Sequence, residues 1–181
     1  MSNALSWLAL GYSIPASPSK NRVYVWRKLK EFGAEYFRQG VALLPYSKNS
    51  FSKFNHLAIK IREMGGEASI VELKFVDLND ELFFVQKFQM QEIQEFNQLK
   101  NDCAAVISQI SKQTSAAFSE FENDQIKKLL RRYSKAKQRN HFCSNLNEDI
   151  ELALRSILEI LYKKTDLAAI QLLKSIEKVL K

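Results

Sequence analysis

The second half of the chain contains no residue of the two types that most often interrupt helices, since neither glycine nor proline occurs from Leu78 to Lys181. Leu, Ala, Lys, Glu and Gln dominate the same stretch, so it is predicted to be almost entirely helical. Ser and Asn compete for backbone hydrogen bonds, and breaks are therefore expected at residues 118–120 and 140–145. The predicted helices run from Asp80 to Gln113, from Ser119 to Gln138 and from Asn147 to Leu180.

The first 77 residues have a different pattern, in which glycine and proline separate short apolar segments. The predicted elements are a strand at 6–14, a helix at 20–32 capped by Ser17 or Ser19, a segment at 34–46 that can split into a hairpin around Gln39-Gly40, a helix at 48–64 and a strand at 67–76. With that split the order is βαββαβ. We therefore predict an α+β fold with a ferredoxin-like unit at residues 1–77 and a helical region at residues 78–181.

The first predicted helix has one apolar face. At about 100° per residue, Val25, Trp26, Leu29 and Phe32 fall on the same side. That face is expected to lie on the sheet, with Trp26 in the core. Arg22 stands at the edge of the face and is expected to be partly sheltered.

Positive charge is concentrated in two parts of the chain. The net charge is +7, and residues 1–76 hold eleven Lys or Arg against five acidic residues, while residues 116–145 hold seven against three. A basic surface attracts nucleic acid or other polyanions, and the same balance also keeps a protein in solution. Nothing resembles an apolar span of about 18 residues, and two cysteines make no disulfide framework, so a cytoplasmic protein without a membrane partner is expected.

The sharpest local pattern lies in the middle predicted helix. Cations fall within about 100° of one another on a helical wheel at five positions, Lys128, Arg131, Arg132, Lys135 and Arg139. No acidic residue occurs between Lys127 and Arg139. Such a stripe can lie along phosphates, and the alternative interpretation is a solvated helix face without a partner.

Patterns for catalysis and metal binding are weak. His141 and Cys143 are two residues apart, but no second pair follows at a metal-ligand spacing, so no metal site and no cofactor are predicted. The chain also has no glycine-rich phosphate loop and no nucleophile elbow. We predict no catalytic residues, and a non-enzymatic protein is favoured.

A long motif in the first unit resembles a known family. The residues that carry it are Trp7-Leu8, Tyr12-Ser13-Ile14-Pro15-Ala16, Arg22-Val23, Val25-Trp26-Arg27, Leu29-Lys30, Gly33-Ala34, Gly40-Val41 and Leu44-Pro45. In this order they resemble the N-terminal domain of the ChrB family of chromate-resistance proteins, over about residues 7–76. More distantly, the run is similar to the central domain of the phenylacetate-degradation repressor and to the CRISPR spacer-acquisition nuclease-like subunit, both ferredoxin-like.

The ChrB resemblance implies a DNA-binding regulator of gene expression that responds to chromate or another oxyanion. Arg22 and Arg27 belong to the motif, and a planar guanidinium suits phosphates and oxyanions alike. These two residues are therefore included among the candidate nucleic-acid or anion-binding residues. Analogy with ferredoxin-like relatives, which often pair through sheet edges, implies a homodimer.

Two other functions are compatible with the sequence. The first is a metal-dependent nuclease of the CRISPR-related kind, although Tyr12-Ser13 stands where those proteins place a metal-binding aspartate at the end of the first strand. The second is a helical partner-binding module, in which the amphipathic helices are the working surface and the basic stripe only keeps them solvated.

Overall fold

The first half of the chain is built around the strand β1 (Trp7–Ser13), which is an inner strand of a four-stranded sheet. It is followed by α1 (Ser19–Phe32), β2 (Glu35–Arg38), β3 (Val41–Pro45), α2 (Lys48–Glu63) and β4 (Glu67–Leu73). The strands lie in the order β2-β3-β1-β4, and each neighbouring pair is antiparallel. The structure is a computed structural model that describes residues 5–112, 120–163 and 167–180. It confirms the predicted mixed α+β class with a long helical C-terminal region.

The hairpin between β2 and β3 turns at Gly40, where the split was predicted. Gly40 has a φ of 74°, a left-handed conformation that glycine adopts at the least cost. Its carbonyl oxygen accepts a 2.7 Å hydrogen bond from the amide of Tyr12. A Cβ atom at residue 40 would lie 2.8 Å from the carbonyl oxygen of Tyr12, so the close approach of the hairpin to the end of β1 requires glycine.

The apolar faces of α1 and α2 form the core on one side of the sheet. α2 packs on β1 and β4, and α1 packs on α2. The fully buried side chains of these helices include Val25 and Leu29 of α1 and Phe54 and Ile61 of α2. The chain enters α2 through Ser47, whose hydroxyl oxygen accepts a 2.9 Å hydrogen bond from the amide of Ser50.

The prediction that Trp26 lies in the core is wrong, and so is the prediction that Arg22 is partly sheltered. Trp26 is 48% exposed, and Arg22 is exposed as well. Val25 and Leu29 occupy the sheet-facing side of α1, and Trp26 projects about 100° away from Val25. Helical periodicity identifies an apolar side of α1 but not the position of its centre, so it does not separate a residue at the margin, such as Trp26, from a core residue.

The start of α3 (Leu78–Lys112) packs against Trp7. The Trp7 side chain is fully buried, and its Nε1 atom donates a 2.9 Å hydrogen bond to the carboxylate of Glu81. The same carboxylate accepts a 3.1 Å hydrogen bond from the amide of Leu5. The Trp7 ring also contacts Phe88, with ring centroids 5.8 Å apart. These contacts attach the first turns of α3 to β1.

The chain forms two compact units, Met1–Phe88 and Gln89–Lys181. The first turns of α3 belong to the first unit, because Glu81 and Phe88 contact Trp7.

The second unit consists of the rest of α3 with α4 (Glu120–Lys137), α5 (Leu146–Tyr162) and α6 (Leu167–Leu180). These helices share one buried cluster, whose largest side chains include Phe96, Tyr133, Ile157 and Ile176. Cys103 and Cys143 are both free.

The predicted helix end at Gln113, the predicted start at Ser119 and the predicted break at residues 118–119 lie outside the described residues. In the ranges that the structure describes, no helix combines the length and the apolar character needed to cross a membrane.

The single helix predicted from Asn147 to Leu180 is wrong. α5 ends at Tyr162, α6 begins at Leu167, and the two helices pack against each other. The Tyr162 hydroxyl donates a 2.7 Å hydrogen bond to Glu177, which links the end of α5 to α6. No glycine or proline occurs between the two helices, and as a pair they bury both apolar faces in one core.

Candidate polyanion-binding groove

The cations of α4 lie on the sides of the helix that do not face the core. Ile126, Leu129 and Tyr133 are buried in the core of the second unit. Because a helix turns about 100° per residue, burial of that face places Lys128 and Arg131 at the surface, where both are exposed. The basic run of the sequence is therefore a basic surface of the folded unit.

A groove of about 530 Å³ lies between α4 and α6, which pack against each other. Its walls hold Lys127, Lys128, Arg131, Arg132, Lys135 and Lys178. Leu130 and Val179 add apolar surface, and Ser134 and Ser175 add hydroxyl groups. Among the described residues that line it, none is acidic. We call this feature the α4–α6 groove.

One row of cations runs along the α4 wall of the groove. Lys127, Arg131 and Lys135 follow one another at intervals of four residues, so successive members are displaced by about 6 Å along the helix axis. Lys178 stands on the α6 wall. None of these four side chains forms an ion pair within the described residues. Their charge is therefore available to an anion from solution.

Two of the predicted arginines are engaged by carboxylates of α3. Arg132 forms an ion pair with Asp102, and both side chains are about one-third exposed. Arg139, which follows the end of α4, forms an ion pair with Glu95 and is not among the groove residues. The structure thus brings Lys128, Arg131, Arg132 and Lys135 together and leaves Arg139 outside.

Sequence reasoning missed Lys127 and Lys178. Lys127 adjoins the predicted stripe, and inclusion of the whole basic run would have found it. Lys178 could not be found in this way, because its place opposite α4 depends on the packing of α6 against α4.

The motif residues Arg22 and Arg27 lie on α1 in the first unit and are exposed. Neither forms an ion pair within the described parts of the chain. They belong to a different unit from the α4–α6 groove.

Polar contacts with α5 fix the far end of α4. The Tyr133 hydroxyl donates a 2.9 Å hydrogen bond to the Glu151 carboxylate, and Lys137 forms a 2.8 Å ion pair with the same oxygen. The hydrogen bond from Lys137 lowers the pKa of Glu151 below its ordinary value, while burial raises the pKa of Tyr133. Lys137 is thus held against α5, on a side of α4 that does not line the groove.

The loop between α4 and α5 is held by a buried carboxylate of α3. Glu92 is 5% exposed and accepts hydrogen bonds from the amides of His141, Phe142 and Cys143 at 2.7, 3.2 and 3.1 Å. Burial raises the pKa of Glu92, and the three amides oppose that shift. The loop that contains the His141 and Cys143 pair is therefore organised by Glu92.

The side chains that could ligate a metal are dispersed. Within residues 5–112, 120–163 and 167–180, no group of three or more His, Cys, Asp or Glu side chains is assembled as a metal site would require. Ser13 ends β1 at the position where the nuclease interpretation would need a carboxylate.

Comparison with known proteins identifies one family. A family model described as "Protein ChrB, N-terminal" matches residues 22–172. The matched segment includes all of α4 and the α4 wall of the groove, but ends before Lys178. No curated protein and no solved structure matches the chain.

Proposed function

Because the chain belongs to the ChrB family, whose N-terminal model covers most of its length, we propose that it is a non-enzymatic regulator that binds DNA and responds to chromate. Membership of this family associates the chain with chromate resistance. DNA is the proposed macromolecular partner, and chromate or a related oxyanion is the proposed effector.

The observation that carries this proposal is the α4–α6 groove. Its lining joins six cations with two hydroxyl groups, and no described lining residue is acidic. Positive side chains that neutralise phosphates release condensed counterions, and this release supplies much of the affinity of proteins for DNA. The row of Lys127, Arg131 and Lys135, with a step of about 6 Å, can follow successive phosphates of one strand.

The same groove can accept the effector. Chromate is a tetrahedral oxyanion, and the fork of Arg131 can donate two hydrogen bonds to such an anion. Ser134 and Ser175 offer further donors within the groove. Chromate bound there would occupy the cations that contact phosphates, so the effector is expected to weaken DNA binding by competition.

Three further features belong to this proposal. The first unit is proposed to be a ferredoxin-like domain, which its element order and its strand order β2-β3-β1-β4 support. The helical region is proposed to begin at residue 78. The protein is proposed to act as a homodimer in the cytoplasm, and light scattering of the purified chain measures the oligomeric state.

A DNA retention experiment tests the proposal. The probe is duplex DNA from upstream of the protein's own gene, with and without chromate, and with sulfate as the control anion. The groove variant is Lys127→Glu with Arg131→Glu. The control is Lys163→Glu with Lys174→Glu, which makes the same change in net charge at exposed positions of the second unit outside the groove.

We expect the groove variant to lose retention and the control variant to keep it. Chromate is expected to release DNA from the wild type at concentrations where sulfate does not. Equal retention by the two double variants would exclude the groove as the DNA site. Equal release by chromate and sulfate would exclude chromate as a specific effector.

A further inference from the structure

Trp26 is an exposed aromatic ring within a basic face of the first unit. Its side chain is 48% exposed, whereas Trp7, the other tryptophan of the chain, is completely buried. Val25 and Leu29 fill the inward side of α1, so Trp26 is not needed to complete that core. Val23, three residues earlier on the same side of the helix, is 44% exposed. Exposed apolar groups that adjoin one another mark interaction surfaces more often than scattered single residues do.

Cations surround this ring on α1. Arg22 and Lys30 lie four residues before and after Trp26, which places them about 6 Å from it along the helix axis, on the same side. The Lys30 Nζ atom is 5.2 Å from the centroid of the indole ring. Arg27 follows Trp26 directly and is exposed. We call Arg22, Val23, Trp26, Arg27 and Lys30 the Trp26 face.

The charge of the Trp26 face is not neutralised by neighbours. Within the described residues, Arg22, Arg27 and Lys30 form no ion pair. Glu31, the acidic residue of α1, is paired with Lys28 at 2.8 Å. Glu35 of β2 acts on Lys30 electrostatically but forms no ion pair with it in the described residues. The face therefore presents an aromatic ring between available positive charges.

We propose that the Trp26 face binds unpaired nucleotides of a single-stranded nucleic acid, with a base stacked on the indole of Trp26 and its phosphates beside Arg22 and Lys30. Proteins that bind single strands without sequence preference combine a positively charged groove with aromatic side chains on which the bases stack. Bases of an intact duplex stack on each other, so only unpaired bases offer a free face to the ring. This site is separate from the α4–α6 groove, which is proposed to contact the duplex backbone.

A second copy of the chain is a poorer occupant of the same face. A symmetric contact would place the Trp26 faces of two copies together, and their arginines and lysines with them. Opposed like charges disfavour such an interface, whereas phosphates complement the same charges. Charge thus favours nucleic acid over self-association.

The test measures binding of labelled oligothymidylate and oligouridylate to the full chain by fluorescence anisotropy. Trp26→Ala removes the ring, and Trp26→Phe keeps a smaller one. Phe51→Ala is the matched control, because Phe51 is exposed to 47% on α2 of the same unit. Stacking energies predict that Trp26→Ala weakens binding about tenfold to a hundredfold, that Trp26→Phe weakens it less, and that Phe51→Ala leaves it unchanged. Tighter binding of one oligomer identifies DNA or RNA as the preferred strand.

Two further measurements separate this inference from the proposed function. The groove variant Lys127→Glu with Arg131→Glu should itself lower oligothymidylate affinity, because its cations attract the phosphates of any strand. Trp26→Ala should then weaken binding by the same factor in this variant as in the wild type, because the groove is not part of the Trp26 face. Equal oligomer affinity of the wild type and Trp26→Ala would overturn the inference, whatever the groove does. A dimer that dissociates on Trp26→Ala in the absence of nucleic acid would also overturn it, since the ring would then be an interface between copies.

Discussion

Arg132 of α4 forms an ion pair with Asp102 of α3. Arg131, the preceding residue, forms no ion pair in the described part of the chain. Both arginines line the α4–α6 groove. The charge of Arg132 is therefore matched within the protein, whereas that of Arg131 is not. This difference assigns a structural role to Arg132 and a binding role to Arg131.

Replacement of Arg131 is expected to weaken DNA binding without lowering stability. Arg131→Gln removes one phosphate contact, so the slope of log affinity against log salt should fall by about 1. Arg132→Gln leaves Asp102 without its partner and should lower the free energy of unfolding by at most about 1 kcal/mol, since the pair is partly exposed. Salt-dependent binding titrations and urea unfolding of both variants measure the two effects. If the two variants have the same salt slope, charge matching does not distinguish them.

Lys178 should contribute to the groove from α6. Lys178→Glu is expected to weaken duplex DNA binding, because it places a carboxylate on the wall opposite the cation row. Lys174→Glu is the matched control, since it makes the same charge change one turn earlier on α6 at an exposed position outside the groove. Affinities of the two variants are compared at the same ionic strength. The assignment of α6 as a wall fails if the two substitutions weaken binding equally.

Glu151 should make stability depend on pH in the acid range. Its pKa is lowered in the folded chain by Lys137, so below the ordinary glutamate value of 4.5 the unfolded chain binds more protons than the folded one. This contribution is present above pH 4.5 and is lost as the pH falls through the lowered pKa of Glu151. Glu151→Gln should therefore destabilise the protein by up to about 1 kcal/mol at neutral pH and by progressively less at lower pH.

Chemical unfolding at a series of pH values measures this difference. Glu159→Gln on the same helix is the control, because Glu159 has no ion pair within the described residues. A difference between wild type and Glu151→Gln that stays constant with pH would contradict the role of the Lys137 pair.

Glu92 should hold the loop between α4 and α5. Glu92→Ala removes the acceptor of three successive amides from a site that is 5% exposed, and is expected to cost about 2 kcal/mol or more. Amide hydrogen exchange should become faster at His141, Phe142 and Cys143. Glu95→Ala, one turn further along α3, serves as the control because Glu95 contacts the side chain of Arg139. Unchanged exchange at those amides in Glu92→Ala would show that the loop does not depend on this carboxylate.

The first unit was predictable because glycine and proline in its sequence mark the turns and strand ends of its fold. Gly40 marks the hairpin, and the prolines after Ile14 mark the end of the first strand segment. The second unit lacks such residues, so no glycine or proline in its sequence signals the division into α5 and α6.

The candidate sites were only partly predictable for a related reason. The cations of α4 follow from a local pattern, but Lys178 faces them only through tertiary packing. Likewise, the engagement of Arg132 and Arg139 by Asp102 and Glu95 depends on how α3 packs with α4. The exposure of Trp26 depends on which of two adjacent residues points inward, and a hydrophobicity pattern does not decide between neighbours that differ by 100°.

The cations that line the α4–α6 groove repel one another whenever the groove is empty. Added salt screens this repulsion, while the surface ion pairs that salt also weakens contribute little. The second unit should therefore become more resistant to unfolding as ionic strength rises. A bound polyanion relieves the same repulsion, so occupancy of the groove and cohesion of the helices that form it are thermodynamically linked.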